Sequence, residues 1–317
     1  MRAYLIRRLL ALIPTLIVAT LIIFFLIRMV PGHVIDLMLS QHDVAADKMS
    51  RELIEKELGL DVPVHVQYVR WIGGVVQGDL GRSLWRETKV WEDIKERVPV
   101  TLELGLLSIL ISLIFAIPIG VYSAVRQDTA LDYIGRTISI LGIAVPYFWV
   151  GTMIVVYPAI YWGWSPPVEL IWITEDPVGN LKQFLVPAAV LGLLLSAVTM
   201  RMMRAMMLEV LRNDYIRTAW AKGAPEKIVI FRHALKNALI PVVTLVGIQI
   251  PILIGGTVVI EQIFALPGMG LLLYEAVQQR DYPVITGLML VIGIFVLIIN
   301  LLVDLSYGLL DPKVRYE

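Results

Sequence analysis

Leu104-Gly-Leu-Leu-Ser-Ile-Leu-Ile-Ser-Leu-Ile-Phe-Ala-Ile-Pro-Ile-Gly-Val-Tyr-Ser-Ala-Val125 carries no Asp, Glu, Lys or Arg. A helix needs about 20 apolar residues to cross the hydrocarbon of a bilayer, and this stretch is long enough. Five others read the same way: Leu9–Ile27, Thr137–Trp162, Gln183–Met200, Asn237–Ile260 and Tyr282–Val303. The expected fold is therefore all-α, a polytopic membrane protein of about six transmembrane helices. Pro14, Pro118, Pro146, Pro187 and Pro251 lie inside these runs. Neighbouring helices in a bundle can satisfy the carbonyls that proline frees, so the prolines read either as packing kinks or as hinges of a gate.

Composition agrees. The 317 residues are 58% hydrophobic and 17% charged, against about 25% charged in a soluble domain. Lys plus Arg and Asp plus Glu both total 27, which gives no sign of a nucleic-acid partner. The absence of cysteine excludes disulfides, thiolate metal sites and Cys nucleophiles. The basic start Met1–Arg8 and the apolar run after it resemble a signal peptide. That run exceeds the roughly 7–15 residues of a signal core, and Arg28-Met-Val-Pro-Gly32 follows instead of a small-residue cleavage site. We read an uncleaved first span.

Orientation follows from Lys and Arg in the short loops. The loop 201–236 holds Arg201, Arg204, Arg212, Arg217, Lys222, Lys227, Arg232 and Lys236, whereas 163–182 and 261–281 hold only Lys182 and Arg280. This places the basic loop, and with six spans both termini, in the cytoplasm. Trp85, Trp91, Trp162, Trp164 and Trp172 fall outside or at span ends, as an interfacial aromatic belt requires. The chain divides into an N-terminus and first span (1–30), an extracytoplasmic segment (31–100), a transmembrane core (101–308) containing the cytoplasmic loop 201–236, and a tail (309–317). Within 31–100 the pattern predicts a helix over Met49–Leu58 closed by Gly59. A second follows Pro63 over Val64–Val76, with Tyr68 and Trp71 on one side, and Gly78–Ser83 is turn-rich.

The loop 201–236 is the most informative. Asn213 or Asp214 suits an N-cap, 215–222 contain no helix breaker, and Gly223 is a natural stop. Pro225 and Glu226 suit the first turn of another helix. The pattern predicts a two-turn helix, a glycine corner, and a second helix entering the fifth span. Small residues at Ala219 and Ala221, with no side chain at Gly223, let a partner backbone approach a rigid lever. An amphipathic helix lying on anionic headgroups through Arg217, Lys222 and Lys227 fits the same residues.

Arg217-Thr-Ala-Trp-Ala-Lys-Gly223, followed by Arg232-His-Ala-Leu-Lys-Asn-Ala-Leu-Ile-Pro241, resembles the cytoplasmic "EAA" loop of binding-protein-dependent ABC importer permeases, dipeptide/oligopeptide branch. Ala219 and Gly223 match the general pattern. Arg217 and Thr218 replace its Glu and first Ala, Lys236 stands where its proline usually falls, and the proline here is Pro241. Tyr4–Leu10, Leu58–Asp61, Gly78–Ser83, Pro99–Glu103, Ile263–Gly270, Arg280–Pro283 and Asp311-Pro312 resemble the branch in the same order along the chain.

The resemblance implies the type I importer permease fold in the cell inner membrane. It implies three kinds of partner besides lipid: a homologous second permease, two cytoplasmic ATP-binding subunits, and an extracytoplasmic solute-binding protein. ATP and Mg would bind the partner subunits, and no cofactor or metal this chain. Contact with the ATPases would fall on Tyr215, Arg217, Thr218, Ala219, Trp220, Lys222, Gly223 and Glu226. Glu261, Phe264, Pro267 and Gly268 would serve an outer gate or the docking of the binding protein, unless they form only an interfacial turn. Peptides are the expected cargo; relatives of the branch take nickel, glutathione or sugars.

The residues themselves add exclusions. There is no Gly-x-x-x-x-Gly-Lys-Ser/Thr phosphate loop, so ATP hydrolysis is not expected of this chain. His33, His42, His65 and His233 lack metal-ligand spacing, and neither His-Glu-x-x-His nor Gly-x-Ser-x-Gly occurs; no catalytic residue is expected. Arg28, Glu103, Glu261 and Asp304 sit at span margins, where pairing or snorkelling competes with function. Met200, Met202, Met203, Met206 and Met207 read as adaptable apolar surface. A stand-alone secondary transporter or channel is the alternative class. Such proteins commonly bind ions at mid-membrane, where these spans lack Asp and Glu.

Overall fold

A computed structural model describes residues 2–29, 55–56 and 59–310. Most of the helix expected over Met49–Leu58, together with His33, His42 and Asp311-Pro312, lies outside the described residues. Among the described residues the chain is helical, and its only extended pairing is a bridge between Arg82 and Lys89. The helices are α1 (Arg2–Arg28), α2 (Val64–Val76), α3 (Val90–Val125), α4 (Ala130–Ala144), α5 (Tyr147–Trp162) and α6 (Pro177–Leu211). Then come α7 (Asp214–Ala221), α8 (Leu235–Ile263), α9 (Met269–Gln279) and α10 (Tyr282–Leu310). A single turn, Glu226–Ile228, and a wider π-helical segment, Val229–Ala234, lead into α8.

Among the described residues, four helical stretches are long and apolar enough to cross a membrane: Val90–Val125, Pro177–Leu211, Glu226–Pro251 and Tyr282–Val303. The expected span Thr137–Trp162 is not one straight helix. α4 and α5 meet at 88°, and counted together they give a fifth crossing. Pro146 explains the break. A residue before proline is pushed out of the α region, and Val145 sits at φ −86°, ψ 123°. The first expected span appears as a shorter apolar helix, Ile13–Arg28, within α1.

The span expected to end at Met200 continues to Leu211, because Met203 and Met207 are fully buried on one face of α6 and hold the helix past the first arginine. Asp176 starts α6, its Oδ1 accepting from the N–H groups of Val178 and Gly179 at 3.1 and 3.0 Å, with Pro177 at the first helical position.

Contacts group the chain into two units, one of residues 1–100 with 267–298 and one of 101–266 with 299–317. In the first, Phe24 is buried and packs edge-on against Tyr68 at 5.3 Å and tilted against Trp71 at 5.5 Å. This is the aromatic side expected of α2. Arg28 Nε donates to Gln67 Oε1 at 3.1 Å, and its guanidinium lies 3.5 Å over the Phe24 ring.

The run Gly78–Thr88 is clasped to the turn between α9 and α10. Ser83 Oγ donates to Asp281 Oδ2 at 2.5 Å, Leu84 N–H to the same carboxylate at 3.2 Å, and Trp85 Nε1–H to the Gln279 carbonyl at 2.8 Å. Arg86 pairs with Glu275 at 3.6 Å. Asp281 is fully buried. Burial pushes its carboxyl pKa above the ordinary range, and the bonds from Ser83 and Leu84 offset that only in part.

In the second unit, α6 crosses α3 at very short range. Gly120 faces Met203 and the Met200 carbonyl, and Gly192 faces Ile111 and the Ser108 carbonyl; neither position has room for a Cβ. Small residues at crossings are how membrane helices gain dispersion contact when lipid is as apolar as their side chains.

Candidate functional site: the short helix Asp214–Ala221

α7 forms where the loop pattern predicts. Asn213 is its N-cap by backbone alone, accepting from Ile216 N–H at 3.0 Å, with no side-chain bond. Asp214 places a negative charge in the first turn, where the helix dipole favours it, and lies 3.5 Å from Arg217. Both side chains are exposed, so this pair adds little stability. Thr218 Oγ1 donates back to the Asp214 carbonyl at 2.9 Å.

The helix stops by a Schellman arrangement: Ala224 N–H donates to the Ala219 carbonyl at 3.2 Å and Gly223 N–H to the Trp220 carbonyl at 2.9 Å. Gly223 takes φ +76°, a left-handed conformation that costs other L-residues about 1–2 kcal/mol.

One side chain anchors the helix. Ile216 is fully buried among Val121 and Ala124 of α3, Met203 and Met207 of α6, Val229 and Ala234 of the π segment, and Ala238 and Val242 of α8. Ala219 is partly buried against the same cluster, so of the two small residues only Ala221 faces outward. Tyr215 and Trp220 are exposed at 43% and 45%; Tyr215 Oη accepts from Asn237 Nδ2 at 2.9 Å. Arg217, Thr218, Lys222 and Gly223 are also exposed. Glu226 is tied to Arg126 at the end of α3 by an ion pair of 3.1 Å. Seven of the eight expected contact residues thus sit on one short element or its stop, and Glu226 starts the next turn.

The residues expected at an outer gate or docking surface are placed differently. Glu261 is fully buried and accepts from Thr101 Oγ1 at 2.7 Å. Phe264 is 3% exposed, near the point where Gly151 of α5 approaches α8. Neither is open to a docking protein in this structure. Pro267 is half-buried and Gly268 is buried, at the start of α9.

A charge centre that the sequence reading missed lies at the basic ends of α4 and α6. Asp132 is fully buried, and Arg204 Nε and Nη2 donate to its two oxygens at 2.9 and 3.0 Å. Seventy-two positions separate the pair; the only signal was a pair of acidic residues, Asp128 and Asp132, between Arg126 and Arg136. Among the described residues there is no cluster of His, Asp and Glu suited to a metal.

Residues 116–316 match the family described as binding-protein-dependent transport system inner membrane component, and residues 1–105 match the N-terminal family of the same membrane components. The chain belongs to this family, and is therefore a multi-pass inner-membrane component of a binding-protein-dependent transport system. It is 41% identical to the oligopeptide transport system permease protein AppB of Bacillus subtilis and 36% identical to the dipeptide transport system permease protein DppB of Escherichia coli. To the di/tripeptide transport system permease protein DppB of Pseudomonas aeruginosa it is 37% identical. In each case the alignment covers 100% of both chains. A crystal structure of an amino acid ABC transporter shares the fold at a TM-score of 0.51 and 12% identity, over 68% of this chain and 94% of that one.

Proposed function

We propose that this chain is a permease subunit of an ATP-driven peptide importer and that α7 is its contact with the ATP-hydrolysing partners. The relatives named for oligopeptide, dipeptide and di/tripeptide transport support peptides as cargo. In this reading ATP and Mg bind two cytoplasmic ATPase subunits rather than this chain. A homologous second permease completes the path, and an extracytoplasmic binding protein delivers cargo. The basic loop that holds α7 faces the cytoplasm, as do both termini.

The observation that carries the reading is the build of α7: a capped, stopped helix with one buried anchor and an exposed rim of Tyr215, Trp220, Lys222 and Gly223. Such a knob fits a cleft in another protein. Because its single anchor reaches side chains of α3, α6 and α8, movement of the knob reaches all three helices. ATP-driven closure of the ATPases would then rock the bundle between inward-open and outward-open states.

Gly223→Val tests the coupling. Valine at a left-handed position disfavours the stop and puts bulk on the rim. We expect the assembled complex to reach the membrane and its peptide-stimulated ATPase activity to fall at least tenfold. Unchanged stimulation in this variant would overturn the assignment of α7.

A further inference from the structure

The chemistry around Asp132 exceeds what that carboxylate needs. A cavity of about 740 Å³ opens beside it, lined by Arg136 and Ile140 of α4, Arg201, Met202 and Arg204 of α6, and Leu245 of α8. Three arginines therefore line this cavity, and two of them, Arg136 and Arg204, reach the buried carboxylate. Arg204 is committed to Asp132 through two bonds. Arg136 Nη2 is 3.5 Å from Asp132 Oδ2 and 3.7 Å from Asp128 Oδ1. Its Nε and Nη2 are buried without a hydrogen-bond acceptor among the described residues, and its guanidinium lies 4.4 Å over the Tyr133 ring. Arg201 is exposed and, among the described residues, in no ion pair. Against Asp132 and Asp128 the three arginines leave one net positive charge, carried by Arg201, and Arg136 keeps donors to spare.

Along the same helices the surface turns apolar. A second cavity, about 420 Å³, lies between α6 and the α4–α5 break, lined by Gly142, Val145, Tyr147, Val150, Leu185 and Leu193 among others. From Leu193 to Arg201 is roughly 12 Å along α6, and Ile140 and Val198 in that interval are exposed at 62% and 38%. Cations at one end and an apolar trough leading from them match a molecule with an anionic head and a hydrocarbon tail. An inorganic phosphate or a peptide carboxylate would use the arginines and leave the trough uncovered.

We propose that the Arg136–Arg201 cavity and the trough on α4 and α6 bind an anionic phospholipid, its phosphate held by the two arginines and an acyl chain lying toward Leu193. Guanidinium forks suit phosphate oxygens, and basic pockets between membrane helices bind anionic headgroups.

Native mass spectrometry of the detergent-purified complex tests this, with palmitoyl-oleoyl phosphatidylglycerol titrated against the phosphatidylcholine of the same chains. Wild type should retain the phosphatidylglycerol adduct at least tenfold more tightly. Arg136→Gln and Arg201→Gln should each weaken it about fivefold, and together bring it to the phosphatidylcholine level. Arg201 is exposed and, among the described residues, in no ion pair, so its variant should fold and can decide alone should Arg136→Gln not. Equal retention of the two lipids, or an unchanged adduct in Arg201→Gln, would overturn the proposal. So would displacement of the lipid by millimolar inorganic phosphate or by a dipeptide, which would assign the cavity to a soluble anion. The measurement involves no transport, so its failure leaves the peptide-importer reading standing.

Discussion

α7 and the run Gly78–Thr88 are both short connectors between longer helices, and they use their side chains in opposite ways. The run 78–88 turns its polar groups inward: Ser83, Leu84 and Trp85 all donate to buried or partly buried acceptors around Asp281. α7 turns them outward, keeping one apolar side chain, Ile216, for the interior. A segment that satisfies its own donors holds a fixed shape and offers little to a partner. A segment fixed by its backbone stop and one anchor keeps its shape while its rim stays open for contact. The difference separates a structural clasp from a surface built to be gripped.

Ile216→Ala should give the largest change. Removing a fully buried Ile costs about 2–5 kcal/mol, and α7 has no second fully buried side chain. Hydrogen exchange of residues 214–223 should rise by more than tenfold while the run 78–88 stays protected; uniform loss of protection would show that α7 is not separately anchored. Asp281→Ala comes next, at about 2 kcal/mol, because it leaves the Ser83 and Leu84 donors buried and unpaired. Limited proteolysis should then open the 78–88 run and leave α7 intact. Trp220→Ala should sit lowest in stability, within about 0.5 kcal/mol for an exposed side chain, yet reduce peptide-stimulated ATPase activity several-fold. A variant that loses stability but keeps coupling would reverse the comparison.

The smallest effect concerns pH. The Asp281 pKa is raised in the folded state, so the folded chain prefers the protonated carboxyl. Its contribution is fully present below the ordinary Asp value of about 3.9 and is lost as pH rises through the raised value. Thermal stability of the clasp should therefore decline over that window, and Asp281→Asn should flatten the decline.

Local chemistry made much of this legible in the sequence. The stop at Gly223 and the helix after Pro63 follow from neighbouring residues, and both form as read. Pro146 was visible as a kink or hinge, but its 88° turn depends on what α4 and α5 pack against. The extension of α6 past Met200 needed knowledge that Met203 and Met207 are buried, since Arg201 and Arg204 read as the start of a loop. The Asp132–Arg204 pair and the Ser83–Asp281 bond join distant positions, and no periodicity encodes which charge meets which. The turn residues Pro267, Gly268 and Gly270 marked Glu261 and Phe264 for an outer gate, a docking surface or an interfacial turn; their burial comes from α3 and α5, which supply Thr101 and Gly151.

The widened turn at Val229–Ala234 has a consequence for how α7 can vary. A π turn accommodates one extra residue, and one residue of an α-helix is worth roughly 100° of rotation about the axis. Excising that extra residue would return the segment to ordinary helix and leave the azimuth of everything before it, Tyr215 and Trp220 included, nearly unchanged, because the six residues at the wider pitch turn about as far as five residues of α-helix. The wide turn is thereby a length buffer: it can take up or give back one residue between the rim and the following span while the rim keeps its aim.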